Sequence, residues 1–429
     1  MLWLFLGTLF FFVLAGIPVV FALGLSNIAI MNAMDLQFMI LPSKMISGMN
    51  SFPLLAIPFF MFVGEIMNHG GIAKRLVNFA DAIVGHITGG LGHVNILASM
   101  FFGGISGSAI ADTAAIGGLL IPPMIEQEYP ADYSAAITAS SAVIGIIIPP
   151  SIPFILYGII TNTSIAQLFM AGIIPGIIVG LALMTTTYFT TKKHDYGHVE
   201  GSEQVAEFTL KRLWETFKEA ALALTIPFLV VGGILGGVFT ATEAGAVAAF
   251  VALILALVVY KEVTIKDLPD ILLATAKTTA IVLFLCGMAM VTAWLLTVAR
   301  VPFTLAEMLT TITDSTIGIL LLTNVLLFLV GFVMDLTPAM LILAPILLPV
   351  MEQVGIDPVY FGVIMSINLG IGLITPPVGT VLYVATGVAD ITLEELVKSI
   401  LPFLFTLLAV LALLIAFPQL VMFIPNLMR

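Results

Sequence analysis

Apolar runs of about twenty residues recur along nearly the whole chain, and no other feature limits the possible fold as strongly. A helix of about that length crosses the hydrocarbon core of a bilayer. Roughly ten or more such helices fit into the 429 residues. Charged residues make up 9% of the chain, whereas soluble domains carry about 25%. We therefore expect an all-α polytopic membrane protein whose surface contacts the lipid bilayer.

The orientation of the chain is predicted from its basic residues. The first apolar run, residues 3–23, has no basic segment before it and is too long for a cleaved signal sequence, so we expect a retained span. The only long polar segment is the predicted loop 191–219, and by the positive-inside rule it faces the cytoplasm. Its basic residues are Lys192, Lys193, Lys211, Arg212 and Lys218.

Composition also excludes several classes of protein. Cys286 is the only cysteine, so the chain has neither a disulfide framework nor a cysteine metal site. The formal net charge of -11 argues against a nucleic-acid partner. No G-x-S-x-G or H-E-x-x-H sequence occurs, so an intramembrane enzyme is disfavoured, and no transition-metal site is expected.

Two motifs occur in the same order in each half of the chain. An Asp-x9-Pro spacing begins at Asp112 in the first half and at Asp335 in the second. A G-x-x-x-P-P sequence then follows at residues 145–150 and again at residues 372–377. The order and the similar separation of the motifs indicate a two-fold internal repeat.

The paired prolines predict a broken helix in each half, over residues 140–160 and 365–388. Proline removes a backbone donor and clashes with the preceding turn. In lipid, a broken helix is tolerated only where it is buried in protein or lines a cavity. Freed carbonyl oxygens can then coordinate a cation, and the next helix N-terminus can hold an anion. Interrupted segments at matching positions of two halves indicate a transporter's binding site.

A segment of unusual composition precedes each proline pair. Residues 101–125 and 331–350 are predicted to form re-entrant hairpins with tips near Gly104–Ala109 and Asp335–Pro338. The hydroxyl groups of these segments either pack helices or act as oxygen ligands of a hard cation. They belong to Ser106, Ser108, Thr337, Thr375 and Thr380.

Several ionisable residues allow two readings. Asp112 and Asp335 are either loop carboxylates or functional groups inside apolar segments. Arg300 either extends to the membrane interface or holds a substrate carboxylate. Glu65 and Glu243 are either hydrogen-bonding groups of the scaffold or contacts to another subunit.

The motif-bearing segments resemble the large membrane (M) subunit of tripartite ATP-independent periplasmic (TRAP) transporters. They are GGISGSAIADTAAIG, SSAVIGIIIPPSIPFILYG, GFVMDLTPAMLILAPILLP and NLGIGLITPPVGTVLYV. The likeness covers nearly the whole chain. The sequence is similar to both the sialic-acid and the C4-dicarboxylate branches of the family, and the sialic-acid branch is closer. It implies two inverted repeats of the ion-transporter superfamily, an elevator-type movement and a location in the bacterial inner membrane.

The resemblance also implies partners and a driving ion. Sodium drives the uptake of an organic acid, which a soluble periplasmic substrate-binding protein delivers. A small four-helix membrane subunit completes the complex and is expected to be a separate chain. The alternatives are a stand-alone divalent-anion/sodium symporter of the same superfamily and a channel.

The resemblance further implies three groups of site residues. The first sodium-binding site comprises Ser106, Gly107, Ser108, Gly145, Ile148 and Pro149. The second comprises Asp335, Thr337, Gly372, Thr375 and Gly379. The substrate-binding residues are Asp112, Pro150, Ser151, Pro377, Thr380 and Arg300.

The expected organisation alternates scaffold and arm. Scaffold helices occupy residues 1–50, 168–275 and 400–429, and the two arms occupy residues 51–167 and 276–399. Each arm contains one hairpin and one broken helix. With sodium and substrate bound, the hairpins are expected to move as a rigid body against the scaffold.

Overall fold

The architecture is that of a helical membrane protein. The computed structural model describes residues 1–197, 208–313, 315–376 and 379–427. Across these residues the regular structure is helical, and none of them belongs to a β-strand. The expected all-α class is confirmed.

The first half of the chain contains ten α-helices. They are α1 (Leu2–Leu14), α2 (Val19–Ala33), α3 (Ile40–Met49), α4 (Ala56–His69), α5 (Ile72–Val84), α6 (Gly90–Ser106), α7 (Ala109–Glu126), α8 (Ala131–Ala142), α9 (Ile152–Thr161) and α10 (Ile165–His194). A 3₁₀ turn, Phe52–Leu55, leads into α4, and another, Val143–Ile146, extends α8.

Ten further α-helices are described in the second half. They are α11 (Leu210–Leu235), α12 (Ala241–Ile254), α13 (Leu268–Val298), α14 (Val301–Ile312), α15 (Thr316–Gly331), α16 (Leu336–Gln353), α17 (Pro358–Gly372), α18 (Thr380–Ala389), α19 (Leu393–Ala416) and α20 (Pro418–Leu427). A π-helical segment, Leu255–Val259, extends α12.

Eight helical segments in the described part of the chain are long and apolar enough to cross a membrane. They are Phe52–His69, Ala109–Glu126, Ile165–His194, Leu210–Leu235, Ala241–Val259, Leu268–Val298, Leu336–Gln353 and Leu393–Ala416. Large aromatic side chains project from their outer faces: Phe228, Phe250 and Phe405 are 75%, 63% and 66% exposed. In water such a surface is unfavourable, so it faces lipid.

The prediction that residues 3–23 form one span is wrong. Helix α1 ends at Leu14, and α2 begins only at Val19. Gly16 between them has a φ of +82°, and Pro18 is the residue before α2. A left-handed glycine ends a helix and a proline disfavours its continuation, so the chain turns and α1 packs against α2.

The helices form two packing groups. One contains α2, α3 and α4, which pack on α13, together with α12, α11 and α5, which follow from α4 in a series of contacts. The other contains the interrupted helices, and in it α10 packs against α6, α17 and α19, while α19 also packs against α8. Contacts of α13 with α16 and of α5 with α6 join the groups. Helices α10 and α19, expected in the scaffold, thus pack with the interrupted helices.

Candidate ion and substrate site

The turn between α6 and α7 lies directly against the interruption that follows α8. Helix α6 ends at Ser106, Gly107 adopts a left-handed conformation with φ +62°, and Ser108 caps α7. A Cβ on Gly107 would lie 2.8 Å from the carbonyl oxygen of Pro150 and 3.1 Å from the nitrogen of Ile152. Only glycine allows this approach in this conformation.

Ser151 spans the first interruption. The 3₁₀ turn after α8 ends at Ile146, and α9 begins at Ile152. The Ser151 hydroxyl donates to the Ile146 carbonyl over 2.6 Å and accepts from the Phe154 N–H over 3.3 Å. Ser151 therefore fixes the geometry of the interruption, and its hydroxyl is already engaged on both sides.

Asp112 lies behind this first junction. Its side chain is fully buried, and one carboxylate oxygen accepts a hydrogen bond from the Ser106 hydroxyl. The other oxygen has no hydrogen-bond partner among the described residues. It lies so close to Gly145 that a Cβ there would overlap it. An unsatisfied buried carboxylate oxygen is costly, and together with hydroxyl and carbonyl oxygens it fits the ligand preference of a hard cation.

The second junction joins the start of α16 to the start of α18. Asp335 is the N-cap residue of α16, and its carboxylate accepts a 2.9 Å hydrogen bond from the Thr380 hydroxyl. Helix α17 ends at Gly372, and the Thr375 hydroxyl donates to the Ile371 carbonyl over 2.6 Å. Pro377 lies outside the described residues.

The two halves share their internal contacts. The backbones of Gly103 and Gly145 touch in the first half, and those of Gly331 and Gly372 touch in the second. In each half, a residue four positions before the second glycine makes a buried hydrogen bond between side chains. Ser141 Oγ donates to Asn95 Oδ1 at 3.0 Å in the first half, and Asn368 Nδ2 donates to Asn324 Oδ1 at 2.8 Å in the second.

These contacts correct the alignment of the two aspartates. Ser108 is the N-cap residue of α7 and Asp335 is the N-cap residue of α16, so these two residues occupy corresponding positions. Asp112 lies about one turn further along, at the helix position that Ala339 holds in α16. The Asp-x9-Pro pairing is therefore shifted by one turn, because the spacing to a later proline does not report where a helix begins.

A cavity of about 440 Å³ separates the two tips. The N-terminal ends of three helices, α7, α9 and α16, border it through Ser108, Ile152 and Leu336. Val19 of α2 and Ile281 of α13 contribute to its opposite, apolar wall. Asp335 is the only charged side chain among the described lining residues, and none of those is basic. Helix N-termini carry partial positive charge, so they can hold an anion without a basic residue.

Only some of the predicted site residues line the cavity. Gly107, Ser108, Asp335 and Thr337, predicted as sodium ligands, all line the cavity. Most of the predicted substrate residues do not: Asp112, Pro150, Ser151 and Thr380 lie outside its lining.

Arg300 is also remote from the cavity lining. It lies on the exposed turn between α13 and α14, with φ +55°. The structure therefore does not bring this guanidinium to the place where the helix N-termini converge.

Sequence reasoning missed the wall of the cavity opposite the tips. Thr278 and Ile281 of α13 and Val19 of α2 come from segments without any motif. The signal that the sequence offered was Thr278, a polar side chain in an apolar span.

Glu243 forms a capping box with Thr240 at the start of α12. Of the two interpretations of Glu243, the structure therefore supports a hydrogen-bonding group of the scaffold.

In a polytopic helical protein, two interrupted helices beside a cavity are typical of secondary transporters. The chain belongs to the family described as "Tripartite ATP-independent periplasmic transporter, DctM component", whose model matches residues 6–420. It is a TRAP transporter large permease, hence a multi-pass protein of the inner membrane and not an enzyme.

Individual relatives agree with the family. The 2,3-diketo-L-gulonate TRAP transporter large permease protein of Escherichia coli is 43% identical over 419 residues, 97% of each chain. The sialic acid TRAP transporter large permease protein of Vibrio cholerae is 42% identical, over 98% of this chain and 97% of its own. The C4-dicarboxylate TRAP transporter large permease protein of Rhodobacter capsulatus is 35% identical, over 98% of both.

Among solved structures, the Alcanivorax borkumensis YdaH transporter, described as having an unusual topology, is similar in fold. It superposes with a TM-score of 0.60 over 86% of each chain, at 16% identity. This likeness concerns the fold alone.

Proposed function

We propose that the chain catalyses sodium-coupled symport of an organic acid into the cell. The observation that carries this proposal is the paired arrangement of tip and interruption. Each junction places a carboxylate, a hydroxyl and main-chain oxygens together beside helix N-termini. Oxygen ligands suit sodium, and the helix N-termini suit the carboxylate of the substrate.

The first proposed sodium site lies at the first tip. Its ligands are Ser106, Gly107, Ser108, Gly145, Ile148 and Pro149, and we add Asp112. The free oxygen of Asp112 supports the addition, because a bound cation satisfies an oxygen that no described residue satisfies.

The second proposed sodium site lies at the second tip. Its ligands are Asp335, Thr337, Gly372, Thr375 and Gly379. The hydrogen bond from Thr380 holds Asp335 in place and supports this assignment. Sodium is cargo here: it enters with the substrate and leaves with it.

The proposed substrate is an organic acid: a sugar acid, sialic acid, is the best candidate, and a C4-dicarboxylate is the second. The cavity volume of about 440 Å³ falls within the usual range for small-molecule sites. Its lack of a basic lining residue among those described favours one carboxylate held by helix N-termini. Relatives named for sugar acids are 37–43% identical, against 35% for the one named for C4-dicarboxylates.

We propose that the permease works with two partners, a periplasmic substrate-binding protein and a small four-helix membrane subunit. The tripartite description of the family supports this proposal. It is further supported by a relative named a TRAP transporter permease protein DctMQ, of whose length this chain covers 64%.

Movement is proposed to be of the elevator type, with two inverted repeats carrying the tips. The packing supports a moving group that includes α10 and α19 together with the interrupted helices. The apolar wall from α2 and α13 is the surface against which this group slides. Coupling requires that the fully loaded state moves and the partly loaded state does not.

A panel experiment tests the substrate assignment. The complex is reconstituted with its binding protein and supplied with labelled sugar acids and dicarboxylates under an inward sodium gradient. Uptake of a sugar acid that needs both sodium and the binding protein supports the proposal. Sodium-dependent uptake that needs neither partner indicates the stand-alone symporter, and rapid downhill flux without a fixed sodium ratio indicates a channel.

A further inference from the structure

A row of neighbouring cavities, each sharing a lining residue with the next, lies beside α7 from its tip to its other end. The tip cavity shares Ser108 with a narrow cavity of about 80 Å³, which shares Asn68 with a third of about 460 Å³. That one shares Lys74 with a fourth, of about 340 Å³. The four run beside the whole of α7, which is about 27 Å long. We name this row the α7 groove.

Along the two middle cavities of the groove, the residues of α7 are small except for Leu119. Ala111 borders the narrow cavity, and Ala114, Ala115 and Gly118 border the third. Gly118 has no atom within 4 Å of the place where a Cβ would be. Packing does not demand this glycine, whereas a Cβ on its neighbour Gly117 would lie 3.1 Å from Thr138. Mid-helix glycine destabilises a helix, so its use beside a void points to a need for space.

Lys74 is the notable charge of the groove. It borders two of the cavities, and within the described chain its ammonium forms no ion pair. The neighbouring cations are engaged: Arg75 pairs with Glu262 at 3.4 Å, and Arg212 pairs with Asp81. Glu65 borders the narrow part of the groove, where a carboxylate attracts the accompanying sodium ions.

The groove ends on the cytoplasmic side. The ion pair of Arg212 with Asp81 ties the fourth cavity to the start of α11, which follows the basic loop. The pair of Arg75 with Glu262 ties the third cavity to the segment before α13, which contains Lys261 and Lys266. By the positive-inside rule this basic end of the molecule faces the cytoplasm.

We propose that the α7 groove is the passage by which the organic anion leaves the tip cavity for the cytoplasm, and that Lys74 draws the anion through it. The inference rests on the proposed function, because it assumes that the tip cavity holds an organic anion. It adds a binding position for that anion at a residue remote from both tips. Lys74 is exposed beside the groove, and an unpaired cation there raises the local concentration of anions.

Thiol labelling tests the passage without relying on transport. Cys286 is buried, so a Cys286→Ala background carrying Gly118→Cys presents one accessible thiol. In inside-out vesicles containing the assembled transporter, anionic 2-sulfonatoethyl and cationic 2-trimethylammonioethyl methanethiosulfonates are compared. We expect labelling from the cytoplasmic side, and Lys74→Gln should lower the anionic-to-cationic rate ratio on the order of five-fold. Lys266→Gln is the control and should leave the ratio unchanged.

A second measurement links the groove to transport. Gly118→Leu fills the groove and should reduce uptake about ten-fold or more, by blocking exit. Gly7→Leu is the matched control, since Gly7 of α1 also has no atom within 4 Å and lies far from the groove. An anionic-to-cationic labelling rate ratio that Lys74→Gln leaves unchanged would overturn the proposal. Uptake in Gly118→Leu equal to that in Gly7→Leu would also overturn it. Loss of sodium dependence in the unmutated protein would instead overturn the proposed function.

Discussion

The hydroxyl of Thr380 donates a 2.9 Å hydrogen bond to the carboxylate of Asp335. The first residue belongs to α18, which resumes the helix after the second interruption, and the second caps α16 at the second tip. In the first half, the tip meets the interruption through Gly107 and Pro150. Each tip is thus joined to an interruption, so an ion bound at either place would touch two elements of the fold.

Asp335→Ala is expected to abolish sodium-driven uptake while leaving the complex assembled. The variant removes the only charged side chain among the described lining residues, and we expect uptake to fall on the order of a hundred-fold. Thr337→Ala should act in the same direction. Uptake in proteoliposomes and co-purification of the small subunit are the two measurements. Glu352→Ala, near the far end of the same helix, is the control, and wild-type sodium dependence in Asp335→Ala would remove the second site.

Thr380→Val keeps the shape of the side chain and removes the hydroxyl that positions Asp335. We expect the sodium concentration for half-maximal uptake to rise about ten-fold, because a ligand that loses its orienting partner binds its cation less well. Thr386→Val is the control, since that hydroxyl bonds to Tyr383 within the same helix. An equal sodium dependence in the two variants would show that the bond to Asp335 plays no part in ion binding.

Gly145→Ala is expected to destabilise the protein, because the added Cβ overlaps the Asp112 carboxylate and approaches Gly103. Overpacking of this kind costs about 1–3 kcal/mol. Gly118→Ala places the same Cβ in open space and should instead stabilise by about 0.5–1 kcal/mol. Thermal unfolding in detergent measures both, and a midpoint for Gly145→Ala at or above the wild-type value would contradict the described contact.

Asp267, just before α13, provides a pH-dependent prediction. The backbone N–H and hydroxyl of Thr264 both donate to its carboxylate, and they lower the pKa of Asp267 below its ordinary value of 3.8. A lowered pKa stabilises the folded state above pH 3.8, and this stabilisation is lost as the pH falls through the folded-state pKa. Asp267→Asn should therefore lower the unfolding temperature at pH 7 but not near pH 3. Asp270→Asn is the control, and a difference independent of pH would refute the assignment.

Local backbone chemistry explains what the sequence could predict. Paired prolines disfavour a continuous helix, although α7 runs through Pro122 and Pro123. The interruption near Pro149 and the turn of Ser106, Gly107 and Ser108 at the first tip follow from a few adjacent residues. The apolar runs define the fold class for the same reason, since each span is a property of one segment.

Long-range packing explains what the sequence could not predict. Val19 and Ile281 meet the tips only because α2 and α13 pack across from them, and no spacing along the chain encodes that. Asp112 and Asp335 share a spacing to proline, yet their helices begin at different distances from them. The turn at Gly16 could not be predicted, because the apolar residues on both sides of it have the pattern of one continuous span.

The most direct measurement is the uptake of labelled sialic acid by the reconstituted complex as the sodium gradient is varied at fixed membrane potential. With one sodium ion bound at each tip, uptake should rise cooperatively with external sodium and reverse when the gradient is inverted. It should stop when sodium is replaced by potassium. Uptake that continues at the same rate in potassium, while still depending on the binding protein, would contradict sodium binding at the two tips.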